Sequence, residues 1–170
     1  MTDFTADSHA RQSKLFDMIK DIRFAMFTTH RPHGHLHSRP MTTQNTSIDE
    51  DDALWFFMPR SGDTVTELQG DDQVNVSYAD GGSDTYVSVS GIANVVEDPV
   101  KKKQLWTKQS AAWFKGGAED PDLALVRVQI EHADYWDVKE NKLVQLYKMA
   151  AAAVTGKTPQ LGEHGTIRPH

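Results

Sequence analysis

Alternation of apolar and polar residues is the clearest pattern in the chain. Between residues 23 and 44, two runs rich in β-branched and aromatic residues flank Arg31-Pro32-His33-Gly34. Proline fixes one φ angle and glycine accepts a positive one, so this segment predicts a hairpin with a tight turn. The apolar run 53–58, which ends at Pro59, predicts a buried strand. The same alternation predicts further strands at 73–78, 86–96 and 123–136.

Helical spacing is confined to short segments outside these strands. Apolar residues three and four positions apart predict helices over 8–22 and 143–150, and cap residues favour short helices over 61–68 and 98–106. Residues 157–170 are predicted to be a C-terminal tail. Because the strands follow one another without helical crossovers, residues 1–170 are predicted to form a single, mainly β domain. Its antiparallel sheet of six or so strands curls into a small barrel flanked by short helices.

Two segments are candidates for ligand binding. Pro40 has no N–H for a sheet ladder, so residues 39–42 are expected at a sheet edge, a bulge or a ligand. Backbone left unpaired beside Arg39 suits an anion or a polar ring. The second candidate is the start of the helix predicted at 61–68, because free N–H groups and the helix dipole attract phosphate.

Aromatic residues supply the other candidates. Phe56 and Phe57 are neighbours on one strand and face opposite sides, which indicates that only one belongs to the core and the other lines a site.

Trp113 and Phe114 precede two glycines in a predicted loop. Large rings in such a loop are either buried anchors or the lid of a flat ligand.

Composition narrows the choice of partners. Eighteen basic and 24 acidic residues give a formal net charge of -6 with no basic block, which disfavours nucleic acid and anionic membrane surfaces. No apolar run approaches the roughly 18 residues of a membrane span, and the N-terminus lacks the form of a signal peptide, so a cytoplasmic location is expected. The absence of cysteine excludes disulfides and thiolate chemistry.

His33, His35 and His37 alternate along the predicted hairpin, and on a regular strand they would share one face that could hold zinc, copper or nickel. His33 lies in the turn, however, and no further histidine or carboxylate cluster is fixed beside the three. Exposed polar side chains are therefore the preferred interpretation, and no metal is assigned. The serine, histidine and aspartate residues show no spacing typical of a hydrolase, so no catalytic residue is assigned.

Eight ordered segments resemble a known family. They are Ser38-Arg39-Pro40-Met41, Leu54-Trp55-Phe56-Phe57, Val74-Asn75-Val76-Ser77-Tyr78-Ala79-Asp80, Tyr86-Val87-Ser88-Val89-Ser90-Gly91, Ala112-Trp113-Phe114-Lys115-Gly116-Gly117, Asp120-Pro121-Asp122-Leu123, Ala133-Asp134-Tyr135-Trp136-Asp137 and Leu161-Gly162-Glu163. Together they are similar to bacterial general stress proteins of the pyridoxamine 5'-phosphate oxidase-like group. The resemblance implies an FMN-binding split β-barrel that forms a homodimer, with FMN, or alternatively FAD, in the dimer interface.

The resemblance also implies a role for individual residues. One strand would run along the flavin with Arg39, Pro40, Met41 and Thr42, and Arg39 would reach the phosphate or the polar edge of the ring. The same flank would present Phe56, Phe57 and Met58, while the phosphate would meet Ser61, Gly62 and Thr64. The partner subunit would close over the ring with Trp113 and Phe114, and Trp136 matches an aromatic residue near the flavin.

The chain departs from the oxidases of this superfamily at Gly62-Asp63-Thr64, where they carry a basic pair. Asp63 adds a like charge near a phosphate, and Arg60 is the cation that would substitute in part. The resemblance therefore implies a flavin protein but not pyridoxine phosphate oxidation. A flavin-dependent oxidoreductase, a flavin-binding stress protein without catalysis, and a deazaflavin or haem binder on the same barrel stay open.

Overall fold

The computed structural model describes residues 4–48, 51–138 and 142–168. The helices in these ranges are α1 (Phe4–Ile19), α2 (Asp63–Gly70), α3 (Pro99–Leu105) and α4 (Lys142–Thr155). The strands are β1 (Ala25–His30), β2 (Leu36–Met41), β3 (Ala53–Pro59), β4 (Gln73–Asp80), β5 (Thr85–Val96), β6 (Leu123–Asp137) and β7 (Glu163–Ile167). The six strands and four helices expected from the sequence are all present, with shifted ends.

The seven strands form one antiparallel sheet in the order β2-β1-β4-β5-β6-β3, and β7 pairs with β6. Strand β6 is long enough to hold three neighbours, because its first half pairs with β3 and its second half with β7. The prediction of a tail over 157–170 is wrong for 163–167, which form β7. The edge position expected from Pro40 is confirmed, since β2 lies at one end of the sheet.

The sheet curls until its two ends meet at one point. Thr43, just beyond β2, forms an antiparallel bridge with Phe56 of β3, and the N–H of Gln44 donates to the carbonyl oxygen of Trp55 at 2.8 Å. Among the described residues, β2 and β3 make no ladder beyond this bridge. The result is a barrel that lacks a ladder along one seam, which we call the split: the unpaired stretch between residues 39–42, at the end of β2, and residues 56–59 of β3.

Two apolar clusters pack on the two faces of the sheet. The main core fills the inside of the curl and contains Phe27 and Phe56, whose rings meet edge to face at 5.2 Å. The second cluster lies on the outer face, where α3 and residues 105–114 cover β3 and β6; it contains Ala53, Trp55, Phe57, Leu105, Phe114, Leu123 and Leu125. Phe56 and Phe57 do face opposite sides, but both are buried. The prediction that only one belongs to a core is wrong, because both faces of β3 are covered.

Gly91 lies at a register shift between β5 and β6. A Cβ atom at this position would overlap the carbonyl oxygen of Gln129 on β6, which is backbone and cannot move aside. We expect Gly91→Ala to lower the free energy of unfolding by about 2 kcal/mol or more. Gly81→Ala is the control, since nothing lies within 4 Å of a Cβ there. Equal midpoints in urea for the two variants would contradict this packing.

Candidate functional site

The split brings together most of the residues singled out by the sequence. Residues 39–42 form one border and residues 56–58 the other, and the bridge at Thr43 closes its end. Residues 61–64 follow at once, where the chain leaves β3 and enters α2. Pro40 is exposed, Met41 and Thr42 are half-buried, and Met58 is buried in the main core. The split is therefore bordered by backbone and by small or apolar side chains.

Arg39 points away from solvent, into the end of the barrel. It is the register partner of the core residue Phe27, and its side chain is only 13% exposed. Its guanidinium donates to Glu67 Oε2 at 2.5 Å and to Thr29 Oγ1 at 2.8 Å, and also contacts His37 Nδ1 at 2.5 Å. The guanidinium that the sequence suggested for a ligand is thus occupied by a carboxylate of α2.

Glu67 is the centre of this polar cluster. The residue is 7% exposed, and it also accepts hydrogen bonds from Thr29 Oγ1 at 2.5 Å and from Arg31 Nε at 3.1 Å. Burial alone would raise the pKa of Glu67, but the hydrogen bonds from Thr29, Arg39 and Arg31 outweigh it and lower the pKa to about 2. Glu67 is therefore ionised at neutral pH and bonds α2 to the β1–β2 hairpin.

The start of α2 carries fewer free donors than the sequence implied. The Ser61 N–H donates to the carboxylate of Asp122 at 2.8 Å, and the Gly62 N–H donates to the Pro59 carbonyl at 3.0 Å. Arg60 forms an ion pair with Glu97 at 2.6 Å. Thr64 is buried, and Asp63 is exposed at the first position of α2. The donors left are the first-turn N–H groups of the helix and the side-chain hydroxyls.

Trp113 and Phe114 have opposite environments. Phe114 is 6% exposed and belongs to the second cluster of its own protomer, whereas Trp113 is 82% exposed. Of the two, only Trp113 has its ring available for a ligand or for another subunit. Phe114 anchors the segment that carries Trp113.

Trp136 lies apart from the split within the protomer. It is near the end of β6, pairs with Tyr86 of β5 and packs against His164 of β7, with ring centroids 5.2 Å apart. Trp136 and Tyr86 are 43% and 41% exposed on the outer face of the sheet. The protomer does not bring Trp136 to the residues on β2 and β3.

The three histidines of the hairpin do not form a common ligand set. His33 has a φ of 73° in the turn, while His37 lies on β2 and contacts Arg39. No group of three or more histidine, cysteine or acidic side chains is arranged to hold a metal ion in the described ranges. Within those ranges, none of the helices has the length and apolar character needed to span a bilayer.

Sequence reasoning missed Glu67, which organises the site. Its position on α2 looks like any helical glutamate, and its partners Thr29 and Arg39 lie 38 and 28 residues away along the chain. One signal for this cluster was present in the sequence: the short helix α2 follows β3, and the predicted β1–β2 hairpin carries Arg31 and Arg39.

The chain belongs to the family described as Pyridoxamine 5'-phosphate oxidase like, whose profile matches residues 10–160. Protein bli-3 of Neurospora crassa is 30% identical to the chain over 144 residues, which are 79% of this chain and 68% of that protein. The family resemblance noted in the sequence is thereby confirmed.

Solved structures agree with this assignment. A protein of Jannaschia sp. described as a general stress protein 26 superposes with a TM-score of 0.73 at 25% identity, covering 96% of this chain and 99% of that chain. The general stress FMN/FAD binding protein of Xanthomonas citri gives a TM-score of 0.66 at 30% identity, covering 78% and 92%. The predicted split barrel with helical additions is confirmed.

Removing the Glu67 carboxylate should cost much more stability than removing an exposed one. Glu67→Gln leaves Arg39 with a buried, uncompensated charge, and we expect a loss of about 3–5 kcal/mol. Glu97→Gln breaks the exposed pair with Arg60 and should cost less than about 1 kcal/mol. Urea unfolding at pH 7 measures both. A loss for Glu67→Gln as small as that for Glu97→Gln would show that the cluster does not brace the barrel.

The same cluster gives a pH dependence. Because the folded-state pKa of Glu67 is lowered from 4.5 to about 2, its stabilising contribution is complete above pH 4.5 and is lost as pH falls towards 2. The difference in unfolding free energy between wild type and Glu67→Gln should therefore shrink over this window and stay constant from pH 5 to 8. A difference that grew on acidification would contradict the assignment.

Proposed function

We propose that the protein binds a flavin, FMN or alternatively FAD, in the split and at the interface of a homodimer. The observation that carries the proposal is the split itself. A strand edge broken by Pro40 lies beside β3 without a ladder between them; among the described residues the two are joined at Thr43 and Gln44, and the start of α2 follows β3 directly. A flat ring with a polar chain fits such a seam, because backbone groups can bond its polar edge while apolar surface meets its faces.

The proposed contacts follow the residues on the two borders. Pro40, Met41 and Thr42 would lie along the ring, with Phe56, Phe57 and Met58 contributing mainly through the backbone, since their side chains are buried. The chain beyond the ring would reach Ser61, Gly62 and Thr64. Arg39 takes a different part from the one that the resemblance implied: it would shape the border of the split through Glu67 rather than bind the ligand with its guanidinium.

The homodimer is proposed from the outer face of the sheet and from Trp113. Small polar residues occupy neighbouring register positions on four strands of this face: Ser38 on β2, Thr28 on β1, Asn75 on β4 and Ser90 on β5. Side chains of this size would let a second sheet approach closely. A ring that is 82% exposed beside an anchored neighbour is suited to contact with another subunit. The partner's Trp113 would cover the flavin, and Trp136 would join the site only through this assembly.

A bound flavin would supply hydride or electron transfer, so an oxidoreductase activity is part of the proposal. The chain's own contribution would be binding and orientation. Glu67, the buried carboxylate next to the split, is held ionised by two arginines and cannot donate a proton at neutral pH. We propose that the protein acts in the cytoplasm as a general stress protein. It is similar to the general stress protein of Xanthomonas citri that is described as binding FMN/FAD.

Flavin titration tests the proposal. Purified protein should quench the fluorescence of FMN with saturation at one flavin per protomer and sediment as a dimer. Trp113→Ala should weaken FMN binding by about two- to tenfold, because an aromatic ring contact contributes roughly 0.5–1.5 kcal/mol.

Val100→Ala is the control for this titration, since Val100 is 77% exposed on α3 and lies outside the proposed contacts. Protein that takes up neither FMN nor FAD would refute the proposed function. Equal FMN affinity for wild type and Trp113→Ala would remove Trp113 from the site while leaving the split as the binding region.

A further inference from the structure

The charges around the start of α2 are unusual for a phosphate site. We call residues 61–64 the seat. Asp63 is exposed at the first helical position, and the carboxylate of Asp122 lies 2.8 Å from the Ser61 N–H. Glu97 adds a third carboxylate through its ion pair with Arg60, the residue directly before the seat. Lys102 Nζ also lies 4.0 Å from Glu97, so three carboxylates, one guanidinium and one ammonium give this region a net negative charge.

The nearby cations are already paired. Moving Arg60 to a phosphate would give up its 2.6 Å pair with Glu97, so one ion pair would replace another. Arg39 is held by the buried Glu67, and leaving it would strand a carboxylate inside the protein. Lys102 donates to the Leu123 carbonyl at 2.8 Å. Each of these three cations therefore already has a bonded partner among the described residues.

The backbone offers only partial compensation. The N–H groups of Ser61 and Gly62 already donate within the protein, which leaves the first turn of an eight-residue helix. Donors in one helical turn favour an anion, but the Asp63 carboxylate lies at the same end of the helix dipole and already uses part of this effect.

We infer that the phosphate contributes little to flavin binding in this protein, so that riboflavin and FMN bind with similar affinity. This inference rests on the proposed function and names the part of the ligand that is recognised: the ring and the ribityl chain. A flavin whose tail is uncharged avoids the carboxylates of the seat. The ring contacts at the split are unaffected by the charge of the tail.

The test compares riboflavin with FMN by fluorescence titration at low ionic strength, where charge effects are largest. Wild-type protein should bind the two with dissociation constants within about threefold of each other. Asp63→Lys should tighten FMN binding by about tenfold and leave riboflavin unchanged, because a charge-assisted contact to phosphate replaces a repulsion. Asp63→Asn should show the same direction with a smaller gain.

Asp72→Lys is the matched control, since it makes the same charge change on an exposed aspartate just after the other end of α2. Its two dissociation constants should stay within about twofold of wild type. Wild-type FMN affinity more than tenfold above that of riboflavin would overturn this inference and leave the flavin site intact. Equal gains for both flavins in Asp63→Lys would overturn it as well. Failure to bind either flavin would refute the proposed function itself.

Discussion

The buried carboxylate of Glu67 is the interaction on which the rest of the site depends. A curled sheet with two free edges needs something to hold those edges at a fixed separation. Among the described residues, the chain just beyond β2 is joined to β3 by the Thr43–Phe56 bridge and the Gln44–Trp55 hydrogen bond. Beyond that bridge, Glu67 on α2 binds Arg39 of β2 and Arg31 of the hairpin turn. An ionised group at this depth is tolerated because three donors surround it, and through these donors α2 is bonded to β1, to β2 and to the turn between them.

This arrangement separates two tasks that a single arginine would otherwise share. The Arg39 side chain stabilises the barrel, while the backbone that follows it, broken by Pro40, stays at the edge of the sheet. In the proposed complex, ligand contact would be left to the strand edge, to the start of α2 and to aromatic surface. The exposed Trp113 belongs to this last group, and Phe114 keeps it in place from within the second cluster.

The sequence predicted the elements well because each depends on local chemistry. Alternation located the strands, Pro32 and Gly34 located the hairpin turn, and Pro40 located the sheet edge. The features that it missed depend on distant partners. Nothing within 163–167 alternates strongly enough to mark β7, which exists because the end of β6 offers a free edge. Likewise, alternation assigned Phe56 and Phe57 to opposite faces but could not show that residues 105–114 cover the second one.

The candidate site shows the same contrast between features set by local sequence and features that depend on distant partners. Its segments could be read from the sequence, whereas the engagement of Arg39 by Glu67 and of Arg60 by Glu97 required the fold. These two ion pairs change the chemistry expected of the site, because each of the two arginines beside the proposed site already has its charge compensated by a carboxylate. Membership of the family thus predicts where a flavin would lie, and the local charges indicate how this chain would hold it.

A crystal structure of the protein with FMN is the most direct test of the central claim. We expect the ring in the split along residues 40–42, the partner's Trp113 over it, and Arg39 still bonded to Glu67. A structure in which Arg39 leaves Glu67 to bind the phosphate, or in which the ring lies away from the split, would contradict it.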